Sequence, residues 1–289
     1  CEVNSQPGLD IHAVAENSQD TRCAKIIMDY LFPDNDDGRV PSLFLLDDPY
    51  PSPAMEFLEA LFMHAKIKAG VWEKGNLYIN NKLLGNEKTN YIDNIRTLTR
   101  DPWSETLLFE CHPESVIREG LGMDLCTASL MLGVENLPDD MMSSLFKILE
   151  TATAGVIIVN ADYGKFKKLI DQCQQTTLIL LTCEENNPLV KSHIELGNKA
   201  YTTYMDNGIL HIMEHANRNS RHLGGFLVGS GLPDHLWQSI ILRLTGSIAA
   251  FELLSGQYVS REWLAKILSL LRHDEEMQSK ILNSSKNIG

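Results

Sequence analysis

Short apolar runs that alternate with helical patterns predict an α/β protein built on a doubly wound, mostly parallel sheet. Most of the runs are continuously apolar, as strands are when helices cover both faces of a sheet. The segments between them place apolar residues at helical spacing. A small β-ribbon and a C-terminal helical pair complete the expected architecture.

The first strand is Ser42–Leu46 (SLFLL), and a helix is predicted over 53–68. Residues 77–83 (LYINNKL) read as a small hairpin with Asn80-Asn81 at the turn, because Asn tolerates positive φ. A helix over 91–100 precedes strands over 106–110 and 127–132. Asp139–Ala152 is a helix with Asp139 and Asp140 in its first turn, favoured there by the helix dipole. Its stripe is Met142, Leu145, Phe146 and Leu149. Strands over 155–160 and 176–181 bracket a helix over 163–173. The runs 199–205 and 209–215 flank Asp206-Asn207-Gly208, a strong hairpin signal. The helical pair falls at 236–254 and 261–271, the second helix started by Ser260 as N-cap. The polar residues 283–289 should fray.

The 289 residues suit one large domain or two small ones, and 44% apolar with 22% charged content is ordinary for a globular chain. The formal charge of −13 argues against nucleic acid or an anionic membrane as partner. No apolar run approaches the ~18 residues that would span a bilayer. The chain opens CEVNSQPGLD, with no initiator Met and no signal peptide, so a piece of a longer chain is expected. Six cysteines without a CxxC read as free thiols in a reducing compartment, and the expected location is the cytoplasm.

Three motifs carry chemistry only weakly. His211-Ile212-Met213-Glu214-His215 matches a zinc-peptidase pattern, but in a strand its histidines lie about 13 Å apart, too far to share a metal. Gly229-Ser230-Gly231 before a helix reads as a plain strand-to-helix turn with Asp234 as cap, rather than a phosphate cradle. Glu110, at the carboxyl end of a strand, stands where ligand crevices form in open α/β sheets and could hold Mg²⁺.

The order of several segments resembles cyanophycin synthetase: the end of its ATP-grasp domain followed by its Mur-ligase-like central domain. Glu2-Val3-Asn4, Pro7-Gly8, Ile11-His12 and Asp29-Tyr30-Leu31-Phe32-Pro33 match the close of the first. Leu77-Tyr78-Ile79, Lys82-Leu83-Leu84, Leu108–Glu110, Ile117–Asp124, Val159-Asn160-Ala161-Asp162, Asn186–Val190 and Ser247–Phe251 match the second. The resemblance implies residues 1–38 as an ATP-grasp tail, 39–275 as the central domain and 276–289 as a frayed tail. It further implies ATP-dependent amide-bond formation through an acyl phosphate, with Mg²⁺ bridging the phosphates. Glu2 and Asn4 would be Mg²⁺ ligands of the truncated ATP-grasp module, and Glu110 a vestigial one of the central domain.

The sequence departs from that family at the phosphate loop. Where a Gly-rich turn ending in Gly-Lys-Thr should follow Ser42–Leu46, the chain reads Asp47-Asp48-Pro49-Tyr50-Pro51-Ser52-Pro53-Ala54-Met55. No glycine supplies the positive-φ nest, and the prolines remove N–H donors. Each carboxylate about 4 Å from a phosphate charge would cost on the order of 4 kcal/mol at an effective dielectric of ~20. Cys111-His112-Pro113-Glu114-Ser115 replaces small residues and a Gly-Gly. Val134-Glu135-Asn136-Leu137 replaces an Asp-His pair, and Gln238-Ser239 with Leu242 replace a His-Asn and an Asn.

The leading expectation is therefore a non-catalytic domain with no cofactor of its own and no catalytic residues. Asp47, Asp48, Asn160 and Asp162 would mark its vestigial nucleotide site. Its expected partners are an upstream ATP-grasp module and, in a homo-oligomer, further copies of itself. A working amide ligase with a non-standard nucleotide site and a small-ligand binding module are the alternatives.

Overall fold

The computed structural model describes residues 39–47, 52–73, 75–85, 91–134, 136–173, 176–207, 209–227 and 234–272. The chain divides into Cys1–Val40 and Pro41–Gly289, and the description below concerns the second unit. Glu2, Asn4, Asp48, Gly229-Ser230-Gly231 and the 276–289 tail lie outside the described residues.

In chain order the elements are β1 (Ser42–Leu46), α1 (Pro53–Ala65), β2 (Ala69–Glu73), β3 (Asn76–Ile79), β4 (Lys82–Gly85), α2 (Tyr91–Thr99), β5 (Thr106–Cys111) and α3 (Pro113–Glu119). There follow β6 (Cys126–Met131), α4 (Asp139–Ala152), β7 (Thr153–Asn160), α5 (Gly164–Gln172), β8 (Thr177–Thr182) and α6 (Pro188–Glu195). The last are β9 (Ala200–Asp206), β10 (Ile209–Ala216), β11 (Asn219–Leu227), α7 (Asp234–Ser255) and α8 (Arg261–Arg272).

The strands form one 11-stranded sheet in the order β11-β10-β9-β8-β7-β6-β1-β5-β2-β3-β4. From β9 through β2 all neighbours are parallel. Antiparallel ribbons close both edges, β3–β4 on one and β10–β11 on the other. The α/β expectation therefore holds, ribbon and helical pair included.

Strand alternation divides the core between two faces. Leu43 and Leu45 of β1, Leu130 of β6 and Leu181 of β8 pack with Leu58 and Phe62 of α1 and with Ile248 and Phe251 of α7. Phe62 and Phe251 meet edge to face at 4.9 Å, and Ser247 of α7 donates to the Ala54 carbonyl of α1 at 2.9 Å. The alternate residues Phe44 and Leu46 are equally buried, and Phe44 stacks on Phe109 of β5 at 4.9 Å. The buried stripe of α4 is Met142, Leu145, Phe146 and Leu149, as its sequence pattern predicts.

Local chemistry sets the boundaries. Ser52 caps α1 by accepting from the Ala54 N–H at 3.0 Å, with Pro53 at the first helical position. The helix ends at Ala65, short of the expected 68, because Lys66 takes a left-handed conformation (φ 60°). Asn80 and Asn81 have φ 49° and 61°, the turn chemistry read from the sequence. Ser260 accepts from the Trp263 N–H at 3.2 Å at the start of α8.

Candidate functional site

At the carboxyl end of β1 the chain leaves the sheet with Asp47 and enters α1 at Ser52-Pro53. The Asp47 side chain is completely buried, and polar donors surround its carboxylate. Arg243 of α7 grips it with a fork, Nε to Oδ2 at 2.7 Å and Nη2 to Oδ1 at 2.7 Å. The Gly133 N–H, just after β6, donates to Oδ1 at 2.7 Å. The Ser52 hydroxyl donates to Oδ2. Bidentate Arg–carboxylate bonds are among the stronger polar contacts in proteins, and more so when shielded from water. Arg243 is itself steadied by Ser239 one turn earlier, donating to its carbonyl at 3.3 Å and to its hydroxyl.

A second carboxylate lies beside the first. Glu110 of β5 pairs in register with Leu45 of β1. It is 1% exposed, and its Oε1 accepts the Ser52 N–H. The amino end of α1 is thus satisfied from within the chain, by Ser52 on Ala54 and by Glu110 on Ser52. The open N–H groups that make a helix N-terminus an anion site are in use here.

Asp47, expected to put negative charge where the resembled family carries a Lys, is paired with Arg243. Arg243 is the residue sequence reasoning missed. A lone Arg in the apolar run Ile240-Ile241-Leu242-Arg243-Leu244 was the available signal, since a charged residue on a buried stripe needs a partner.

Asn160 and Asp162, expected with Asp47 in a vestigial nucleotide site, bond to each other and to residues at and beyond the end of β8. Asn160 Oδ1 accepts the Asp162 N–H at 3.0 Å. The Asp162 carboxylate accepts the Cys183 N–H at 2.7 Å, the Thr182 hydroxyl and Asn187 Nδ2 at 3.2 Å. Asn187 also caps α6, accepting from the Leu189 and Val190 N–H groups. The surrounding burial and the Asp162 and Glu184 charges push the Cys183 thiol up to about 12.

The histidines of the His211–His215 motif lie on strand β10, as expected, and Glu214 faces the opposite side of the sheet. There it is nearly buried against Lys199 Nζ at 2.7 Å and the Arg221 guanidinium. Arg221 also grips Glu252 of α7 at 2.6 and 2.7 Å, and the Tyr201 hydroxyl donates to Glu252 at 2.9 Å. Among the described residues, no group of three or more His, Cys, Asp and Glu could hold a metal ion.

Over 223 residues the sequence is 24% identical to cyanophycin synthetase from Geminocystis herdmanii and 22% identical to that from Trichormus variabilis. The chain resembles cyanophycin synthetase. The aligned stretch is 74% of this chain but 25% and 24% of those two proteins, so the chain spans about a quarter of the curated relatives it matches. No family model matches it.

In fold, the chain is similar to a UDP-N-acetylmuramoyl-L-alanyl-D-glutamate–2,6-diaminopimelate ligase, with a TM-score of 0.53 and 12% identity over 83% of this chain and 48% of that one. It is also similar to a bifunctional folylpolyglutamate synthase/dihydrofolate synthase solved with Mn, AMPPNP and L-glutamate bound. That match has a TM-score of 0.51 and 12% identity over 92% of this chain and 62% of the other. The cyanophycin-synthetase-like chain therefore shares the fold of these two ligase and synthase structures.

Proposed function

We propose that this is a degenerate Mur-ligase-like domain of a cyanophycin-synthetase-like protein, non-catalytic and structural beside an ATP-grasp ligase module. One observation carries the reading: the Asp47 carboxylate, buried before the amino end of α1, is already held by Arg243, Gly133 and Ser52. A nucleotide phosphate set there would meet two buried carboxylates, Asp47 and Glu110, and donors already engaged. The residues present do not fit a Mg²⁺-nucleotide. Glu110 holds the Ser52 N–H, Asn160 holds the Asp162 N–H, and Asp162 holds the Cys183 N–H after β8.

On this reading the ATP-dependent chemistry of the whole protein belongs to the module for which residues 1–38 form the tail, with Glu2 and Asn4 as its Mg²⁺ ligands. The central domain serves that module by packing against it or by bringing copies together. Equilibrium dialysis of the chain with Mg·ATP tests the first half of the proposal. No saturable binding is expected up to millimolar nucleotide, and saturable binding in the micromolar range would overturn it. In the parent protein, Arg243→Met is expected to lower the amount of folded protein without changing the KM for ATP of the molecules that remain. A raised KM for ATP would place the nucleotide at this site and overturn the reading.

A further inference from the structure

The exposed side of the β9–β10–β11 ribbon has chemistry that the ligase-like site does not use. Leu210, Ile212 and Glu214 of β10 are buried, so the alternate residues His211, Met213 and His215 face the other way. The β10–β11 register slips between Ile212, opposite Gly224, and Met213, opposite His222. This bulge brings His222 diagonally toward His211, whose direct neighbour on β11 is Gly225. A Cβ at Gly225 would sit 3.1 Å from His211 Cε1 and 2.9 Å from Ile209 Cγ2, so glycine leaves the room that the His211 ring occupies.

The two rings meet through their nitrogens. His211 Nδ1 and His222 Nε2 are 3.0 Å apart. With ring centroids 5.1 Å apart and planes 29° apart, the two nitrogens face each other across this gap. On its other side His211 is stacked on Tyr204 of β9 at 4.9 Å and 10°, which fixes its orientation. His215, two residues along, is engaged elsewhere, with Thr202 at 2.9 Å and Ser220 at 2.8 Å.

We propose that His211 and His222 form a two-imidazole site for a divalent first-row transition ion, Cu²⁺ or Ni²⁺ before Zn²⁺. Metal–imidazole bonds of about 2.0–2.1 Å place two cis nitrogens about 2.9 Å apart at a right-angle bite and about 3.3 Å apart at a tetrahedral one. The observed 3.0 Å is spanned by a hydrogen bond, and a turn of the exposed His222 ring would aim both lone pairs at one ion; Cu²⁺ heads the affinity order for nitrogen ligands. In the free protein one N–H lies between the rings. On binding, that ring moves its proton to its other nitrogen, both facing lone pairs go to the metal, and water fills the remaining positions. Mg²⁺ is a poor occupant, because it prefers oxygen ligands. Glu214 points away, so the site binds without a general base for hydrolysis.

The test is isothermal titration of the full chain with Ni²⁺ and Cu²⁺, together with electron paramagnetic resonance of the Cu²⁺ complex. One ion per chain is expected at micromolar affinity, with coupling to two equivalent nitrogens in the spectrum. His211→Asn and His222→Asn should each weaken binding by about tenfold or more, while His215→Asn and Mg²⁺ serve as negative controls. His222 is exposed, so its variant keeps the fold and reports on the site alone. Wild-type affinity in the His222→Asn protein, no binding by the wild type, or a spectrum showing fewer than two nitrogens would each overturn the proposal.

Discussion

Burying a carboxylate with a guanidinium strips water from both, and the pair is favourable only when geometry and further hydrogen bonds compensate. Asp47 meets that condition through Arg243, Gly133 and Ser52. Removing one partner leaves the other buried and uncompensated. Arg243→Met is expected to cost about 3–5 kcal/mol in urea unfolding, and the double variant Asp47→Leu/Arg243→Met markedly less than the sum of the singles. Purely additive effects would show that the pair is not coupled. The Cys183 thiol, pushed up to about 12, should resist alkylation by iodoacetamide at pH 8 in the folded protein and react readily in urea, as followed by peptide mass spectrometry. At this scale the sequence was half legible. Asp47 stood out because it ends an apolar strand where a glycine was due. Its partner lies 196 residues away, and that pairing is set by how α7 crosses the sheet, which no local pattern encodes.

Among the elements, long periodic segments and chemically marked turns were readable, and short ones were not. α4 matched its predicted span because its stripe runs through several turns. β2, α3 and α6 went unpredicted at 5, 7 and 8 residues, too short for a period to register. β11 was also missed, because Gly224-Gly225 reads as a loop signal yet lies within a strand, beside the bulge opposite β10. Close approach between strands also explains Gly155 of β7. A Cβ there would lie 2.5 Å from the Thr127 carbonyl oxygen of β6, where the β6–β7 register shifts. Gly155→Ala should therefore destabilise the protein by about 1–3 kcal/mol in spite of the lower entropy cost of alanine. A denaturation midpoint at or above that of wild type would show that the bulge relaxes at no cost.

Across the whole molecule, the titratable groups with shifted pKa values make the fold sensitive to acid. Burial alone would raise Glu214, but Lys199 and Arg221 outweigh it and hold its carboxyl below the usual carboxylate range. Burial holds His193 and His215 below the usual imidazole value, with hydrogen bonds to backbone and the Glu214 charge respectively working against it. An unfolded chain takes up protons at these histidines from about pH 6.5 downward, before the folded one does, so stability falls with pH across that window. Glu214 adds a further loss at lower pH, as its ion pairs are protonated. The urea midpoint should drop between pH 7.5 and 5.5 and drop again toward pH 4; a flat profile would contradict both assignments. Among the described residues no helix is long and apolar enough to cross a membrane. The fold class was legible at this scale, since a buried parallel sheet imposes its apolar runs whatever residues stand at the strand ends.

Helix α7 ties distant parts of this sheet together. Arg243 bonds it to the end of β1, Ser247 to α1 and Glu252 to β11. From Arg243 to Glu252 the axis advances about 13 Å at 1.5 Å per residue, so these anchors restrain the helix at both ends of that span. A shift of α7 along its own axis would break charge-assisted bonds on two separate strands at once. The shear by which packed helices accommodate a ligand is thus opposed by the same contacts that fill the amino end of α1. Backbone amides in the middle of α7 should therefore exchange with deuterium only when the whole domain unfolds.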